Sequence, residues 1–297
     1  MTERRVALVT CGELAELDPD ERLVIPALAA RNVRAEPVVW DDPSADWASY
    51  DLAIVRSAWD YVDRRDDFLR WARSVPRLVN PAAVLEWNTD KRYLRDLAAA
   101  GVAVVPTEWF EPGDEVTLPD DGVYVVKPSI GAGARDAGRF DLADPSEREL
   151  ARKHVERLLD SDATAMVQPY LTAVDDVGET ALLFFGGQLS HAIGKSALLS
   201  GPDTEVDGLF REERITARTP SATEVETATA VLAAVPPELS DGLLYARVDL
   251  IPDADGRPVL LELELSEPAL FFAHDAAAAG RFADVVSTRL SRLGTAS

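Results

Sequence analysis

Two runs toward the C-terminal end carry acidic and basic side chains at alternate positions. In ARVDLI, Arg247 and Asp249 stand two residues apart, and in LLELELSEP, Glu262, Glu264 and Ser266 repeat that spacing. Period two puts each set on one face of a strand. If the strands pair across a turn near Asp253 to Gly256, one arginine and three carboxylates share a surface. Carboxylates crowded into a partly desolvated site repel, so one must take a proton or meet a cation. Hard oxygen donors of this kind, with room for water and phosphate oxygens, suit Mg²⁺. A lone Glu-Leu alternation is ordinarily an amphipathic strand with a wet face. The Arg and Asp at matching parity on the partner strand favour a metal.

A second stretch, YVVKPSIGAGARDAGRF at 124 to 140, delivers Lys127 from an apolar run into a glycine-bearing segment that could cradle phosphates. It fits neither common phosphate pattern: a P-loop sets its lysine after the glycines, and a dinucleotide fingerprint needs G-x-G-x-x-G opening a helix. Arg56, at the end of the strand DLAIVRS, stands where open α/β sheets meet ligands, so a substrate carboxylate is one expected partner and an ion pair with Asp60 the other. Trp59 and Tyr61 read as packing aromatics, His191 as a core or hairpin residue and Cys11 as a small buried hydrophobe. Lys195 and Arg211 flank a segment, ALLSGPDTEVDGLFREER, that has no period and many turn formers and reads as a mobile loop; a substrate contact is one expected role for the two cations and solvated charge the other.

The elements that must hold these groups read as α/β, in parts α+β. Strands are expected at Val6 to Thr10, Pro37 to Trp40, DLAIVRS and RLVN, with a helix over about 20 to 31 and another in DRRDDFLRWARSV, which together make a small open sheet. NTDKRYLRDLAAAG reads as one helix with Thr89 as cap and Gly101 as stop, and a domain boundary is placed near Asn88. PSERELARKHVERLLD is a helix, ATAMVQPYL a strand, and ETALLFFGGQLSHAIGKS a hairpin turning at Gly186 and Gly187. A helix over about Ser221 to Val235, the acidic hairpin and a closing helix over about 275 to 293 complete the chain.

A chain of 297 residues suits two or three modest domains. A net charge of −22 argues against nucleic acid or an anionic membrane as partner, since phosphate-rich surfaces are bound through clustered Lys and Arg. Any phosphate must then be met by a few placed cations. No apolar stretch approaches the ~20 residues of a membrane span, and MTERRVALVT lacks the pattern of a secretory leader. One cysteine precludes an internal disulfide and any cysteine zinc site, and a cytoplasmic setting is expected.

Taken in order, Lys91 in WNTDKRYL, Lys127 in its glycine-bearing run, VQPY, ARVDL and LLELEL resemble the motifs of ATP-grasp ligases across roughly residues 89 to 270. VRSAWDY, WNTDKRYL and ELELSEPALFF are further similar to the branch containing the cyclo-ligase that closes O-ureido-D-serine to D-cycloserine. The resemblance implies an ATP-grasp fold: an N-terminal open α/β domain at 1–88, a linker helix and small lid at 89–168, and a C-terminal catalytic domain at 169–297. It implies ATP and Mg²⁺, with Lys91 and Lys127 on the phosphates and residues 129 to 138, Ser129, Gly131 and Gly133 among them, as the covering loop. Gln168 to Tyr170 would be the adenine hinge, and Glu179 joins the nucleotide contacts. Asp249, Glu262 and Glu264 would hold the metal. Arg247 would stabilise the transferred phosphoryl group, and Arg56, Lys195, Arg211 and Ser266 face substrate. Glu262-Leu263-Glu264 departs from the E-x-N of many relatives, and no arginine follows the acidic residue in GETALLFF. The expected reaction joins a carboxylate to a nitrogen through an acyl phosphate on a small amino-acid-like substrate, in one molecule or between two. A regulatory ATP-binding protein without chemistry is the alternative outside catalysis, and a homodimer is left open.

Overall fold

The computed structural model describes residues 3–197, 199, 201–202, 209 and 214–293. Arg211 and most of the expected mobile loop lie outside the described residues.

The first sheet is parallel, in the order β2-β1-β3-β4, from β1 (Arg4–Thr10), β2 (Val33–Val39), β3 (Leu52–Ser57) and β4 (Leu78–Val79). The interior of such a sheet is covered on both faces, which explains why VALVT and LAIVRS are apolar without alternation. Val6, Leu8 and Ile54 pack toward the closing helix Ala278–Leu293 through Phe282 and Val286, and Ala7, Val9 and Val55 pack toward Trp40, Phe68 and Trp71. The helix expected over 20 to 31 is shorter, a 3-10 turn Glu21–Leu23 running into Val24–Ala29, and β2 starts four residues earlier than the apolar run PVVW suggested.

A second, antiparallel sheet has the order β5-β8-β6-β7, from β5 (Glu108–Phe110), β6 (Val123–Pro128), β7 (Gly138–Asp141) and β8 (Ala165–Pro169). The helix Pro145–Asp160, capped by Asp144, closes its core through Ala151, Val155 and Leu158. The third sheet is antiparallel, in the order β11-β10-β9-β12-β13, from β9 (Glu179–Phe185), β10 (Gln188–Lys195), β11 (Ile215–Arg218), β12 (Tyr245–Pro252) and β13 (Pro258–Glu264). Gly186 and Gly187 both take positive φ, as the tight β9-β10 turn requires.

The junction between the first and second sheets corrects one expectation. WNTDKRYLRDLAAAG is not one helix capped by Thr89; Thr89 ends the helix Ala82–Asn88, its hydroxyl donating to the Leu85 carbonyl, and a second helix spans Tyr93–Ala99. Asp90 accepts from the Arg92 N–H and fixes the bend, leaving Lys91 at the corner. Gly101, at φ 91, does end the second helix.

Candidate active site

The bend at 88 to 93 is what fixes the acidic strand. β13 is the edge of its sheet, and an edge must satisfy its outward N–H and C=O groups. Asn88 Nδ2 donates to the Leu263 carbonyl at 2.8 Å, Asn88 Oδ1 accepts from the Leu265 N–H at 2.6 Å, and the Tyr93 hydroxyl accepts from the Leu263 N–H at 2.9 Å. With the backbone pinned at 263 and 265, Glu262 and Glu264 project together from the other side of the pleat. The register Arg247↔Glu264 and Asp249↔Glu262 brings the arginine and three carboxylates onto one face, with a bulge between Asp249 and Leu250.

Within that face, charges are paired. Arg247 donates from Nε and Nη2 to the two oxygens of Asp249 at 2.8 and 3.0 Å, bonds Glu264 through Nη2, and reaches the Ala269 carbonyl at 3.2 Å. Lys195 lies between Asp249 at 2.9 Å and Glu179 at 3.0 Å. Lys91 Nζ sits 3.0 Å from Glu262 and donates to the Gly131 carbonyl at 2.6 Å, while its N–H bonds the Ser129 carbonyl at 2.8 Å. Lys127 differs: its ammonium forms no ion pair among the described residues, although it faces the same space.

These groups line one cavity of about 410 Å³ between the second and third sheets, with the segments that follow β1 and β3 closing one end. Lys91, Lys127, Gly131, Gly133, Gln168, Tyr170, Glu179, Lys195, Arg247, Glu262 and Glu264 are on its wall. Val105, Val174, Ile251 and Leu261 give it an apolar region suited to the face of a purine. The Tyr170 N–H is bonded to the Val123 carbonyl at 2.8 Å, so that donor is not available to an adenine edge. Gln168 Nε2 donates to Thr107, and Arg139 stacks 3.9 Å from the Tyr170 ring centroid. In the loop after β6, Gly133, Ala134 and Asp136 have left-handed backbones, and Arg135 reaches Asp63, in the segment after β3, with two 3.1 Å bonds.

Four expected residues are not on the cavity wall. Arg56 is fully buried, forked onto Glu21 at 2.8 and 2.9 Å and onto the Pro268 carbonyl at 2.5 Å, because the segment after Ser266 packs across the end of β3 and closes it from solvent. Its ion-pair partner is therefore Glu21, and Asp60 instead bonds Trp40 and Arg64. Ser266 donates to Asn88 and is buried, and Ser129 is buried with its N–H on the Thr164 carbonyl. Asp249 lies beneath Arg247 and Lys195, 1% exposed, with both oxygens taken. Conversely, Asp18, Asp20, Trp59, Tyr61, Arg135 and Glu267 line the cavity without having been read as ligands. Trp59 and Tyr61 follow Arg56 at a strand end, and that position was the available signal; Glu267 lies on an irregular turn with none. His191 and Cys11 are buried, the former bonded to the Leu270 carbonyl.

The electrostatics follow from burial against pairing. Burial opposes the charge of Asp249, yet Arg247 and Lys195 hold it below the usual carboxylate range; Lys91 and Lys127 do the same for Glu262. Glu264 goes the other way, raised by burial and by Glu262 and Asp249 against the pull of Arg247. Burial, opposed by its bond from Tyr61, pushes Glu267 to about 7. Burial also lowers Lys127, outweighing the opposing pull of Glu262 and Glu179. Among the described residues the site thus holds a cation without an ion pair and a surplus of carboxylate, which fits a phosphate chain together with a dication. No group of three acidic, imidazole or thiol side chains among the described residues is already arranged as a metal shell. Mg²⁺ commonly takes only one or two carboxylates and fills its shell with phosphate and water, so Glu262 and Glu264 suffice in kind.

The family model described as the N-terminal domain of D-cycloserine synthetase DcsG matches residues 6–80. The cycloserine biosynthesis protein DcsG of Streptomyces lavendulae is 36% identical over 301 residues, covering 96% of this chain and 98% of that protein. A crystal structure of D-cycloserine synthetase DcsG superposes with a TM-score of 0.86 at 35% identity, covering 96% of this chain and 99% of that one. A D-alanine–D-alanine ligase from Bacillus anthracis matches at TM-score 0.63 and 14% identity, covering 98% of each chain, which is a likeness of fold. No helix among the described residues is long and apolar enough to cross a membrane.

Proposed function

Given that the chain belongs to the D-cycloserine synthetase DcsG family of ATP-grasp ligases, we propose that it uses ATP and Mg²⁺ to join a carboxylate to a nitrogen through an acyl phosphate, closing O-ureido-D-serine to D-cycloserine. The observation that carries this reading is the convergence of Lys91, Lys127, Arg247, Glu262 and Glu264 on one cavity. Five charged groups from three parts of the chain meet there, and one of them, Lys127, has no ion-pair partner among the described residues.

In this reading Lys91 and Lys127 hold the triphosphate from the lid side, and backbone N–H groups of residues 129 to 138 close over it. Glu262 and Glu264 hold Mg²⁺, which supplies charge neutralisation to the phosphoryl oxygens when bound. A carboxylate oxygen of the substrate attacks the γ-phosphorus in line and ADP leaves; Arg247, fixed by Asp249 beneath it, faces the negative charge that spreads over the transferred group. The nitrogen then displaces phosphate from the activated carbonyl. No protein nucleophile is required, and the loop excludes water that would waste the acyl phosphate. With the nitrogen in the same molecule the product is a ring still carrying the carbamoyl group on that nitrogen; water then cleaves the N–C bond, the carbamoyl leaves as CO₂ and ammonia, and D-cycloserine remains.

The test is an ADP-release assay with Mg²⁺ across D- and L-amino acids and their O-ureido derivatives, with Glu262→Gln in parallel. Release is expected with O-ureido-D-serine and is expected to drop at least ~100-fold in the variant, the scale of losing a placed charge in a desolvated site. Release only with paired free amino acids would move the assignment to an intermolecular ligase; ATP binding without turnover on any substrate would make the protein a regulatory binder.

A further inference from the structure

The acidic residues on the phosphate side of the cavity are not equivalent. Glu262 is paired with Lys91, Glu264 with Arg247, Glu179 with Lys195, and Asp249 with both Arg247 and Lys195. Glu267 forms no ion pair among the described residues and takes its hydrogen bond from a neutral phenol, Tyr61, which is buried on the turn after β3. Its backbone is held as well, since Trp59 Nε1 donates to the Glu267 carbonyl at 2.9 Å. Two aromatic residues of the turn after β3 thus fix a carboxyl group on the cavity wall, near enough to Lys91, Arg247 and Glu262 to feel their charges.

Resting on the ligase reading above, we propose that the Glu267 carboxylate is the general base for the second half-reaction, with Tyr61 as its positioning residue. The nitrogen of the substrate attacks the carbonyl carbon of the acyl phosphate; the C–N bond forms, the C–O bond to phosphorus-bound oxygen breaks, inorganic phosphate leaves with that electron pair, and the N–H proton passes to Glu267. A carboxylate engaged with Lys or Arg is a poor acceptor, because the cation holds its lone pairs and lowers its basicity. Among the described residues no ammonium or guanidinium forms an ion pair with Glu267; Lys91 and Arg247 act on it only from a distance, and burial outweighs them and the Tyr61 bond, leaving an affinity for a proton that suits a base. The groups that act on it include Tyr61 from the turn after β3, Lys91 from the bend at 88 to 93, Glu262 and Glu264 from β13 and Arg247 from β12.

The experiment separates the two half-reactions in the full chain. O-ureido-D-serine, ATP and Mg²⁺ are supplied with or without hydroxylamine, which traps an acyl phosphate as hydroxamate without needing a base. In Glu267→Gln, product should fall ~100-fold or more, the usual reach of general base catalysis, while ATP-dependent hydroxamate stays within about threefold of wild type. Product within about threefold of wild type overturns the assignment, as does a parallel fall of hydroxamate and product, which would make Glu267 a binding or folding residue. Should Glu267→Gln lack a cooperative thermal transition, Tyr61→Phe decides: about fivefold or more loss of product with hydroxamate retained supports the pair, and unchanged product overturns it. A wild type that yields neither hydroxamate nor product removes the ligase reading itself, and the base with it.

Discussion

Lys127→Met should move ligand affinity and fold stability in opposite directions. The substitution keeps the apolar stem, which packs at the end of β6, and deletes a charge that has no ion-pair partner among the described residues. If the ammonium meets phosphate, losing a charge-assisted hydrogen bond costs ~1.5–3 kcal/mol, or about 10- to 150-fold in the Kd for ATP with Mg²⁺. The fold should gain. Burial holds the Lys127 pKa below its ordinary 10.5, so the charged form is disfavoured in the folded chain relative to the unfolded one. That cost is fully present at neutral pH, below the folded pKa. It fades as pH rises through the folded value toward the unfolded one. Relief of ~1 kcal/mol, the low end for a buried polar group without a partner, raises the unfolding midpoint by about 2–4 °C in a chain of this size. Calorimetric titration and thermal unfolding without ligand measure the two effects, and the gain in midpoint should shrink from pH 7 toward pH 10. A lower midpoint with unchanged affinity would refute both halves of the reasoning, because it would make Lys127 a structural residue.

Three other substitutions probe what lies around the site. Arg56→Met strands Glu21 in a buried pocket and should cost ~3–5 kcal/mol in denaturant unfolding, with part of the loss restored by adding Glu21→Gln. Asp249→Asn leaves Arg247 and Lys195 short of a buried partner; it should lower stability by a similar ~3–5 kcal/mol in the same assay, whether or not Mg²⁺ is present. Asp63→Ala removes an exposed tie to Arg135 worth only ~0–1 kcal/mol, so the melting midpoint should stay put while the KM for ATP changes, as the loop loses its contact with the segment after β3.

What could be read in advance was what depends on short-range periodicity. The face shared by Arg247, Asp249, Glu262 and Glu264 follows from alternation on two strands joined by a tight turn, and the Gly186-Gly187 hairpin follows from turn chemistry. Arg56 shows where such reading stops. Its position at the end of β3 is a common place for a ligand, but its partners are Glu21, 35 residues upstream, and the Pro268 carbonyl, 212 residues downstream. No local pattern encodes that closure. Thr89 failed differently: a good capping residue preceded a good helix, yet Asp90 could make the same kind of bond and did so one residue later. Glu267 had no period to betray it, since its place on the wall is set by Trp59 and Tyr61 on the turn after β3, the former 208 residues upstream.

The pairing of charges inside the cavity also explains how a chain with net charge −22 can offer a phosphate site. Lys91 and Arg247 are each held on a carboxylate that the ligase reading gives to Mg²⁺, Glu262 and Glu264 respectively. Bare triphosphate could take the two cations only by leaving those carboxylates unpaired, and a bare dication could take the carboxylates only by releasing the cations; each costs the desolvation of a stranded charge. When both arrive, every charge exchanges one opposite partner for another and none is left alone. The same pairs that hold the site together in the folded chain therefore favour the metal–nucleotide complex over either component. Lys127, which has no ion pair among the described residues, would exchange no such partner in receiving a phosphate.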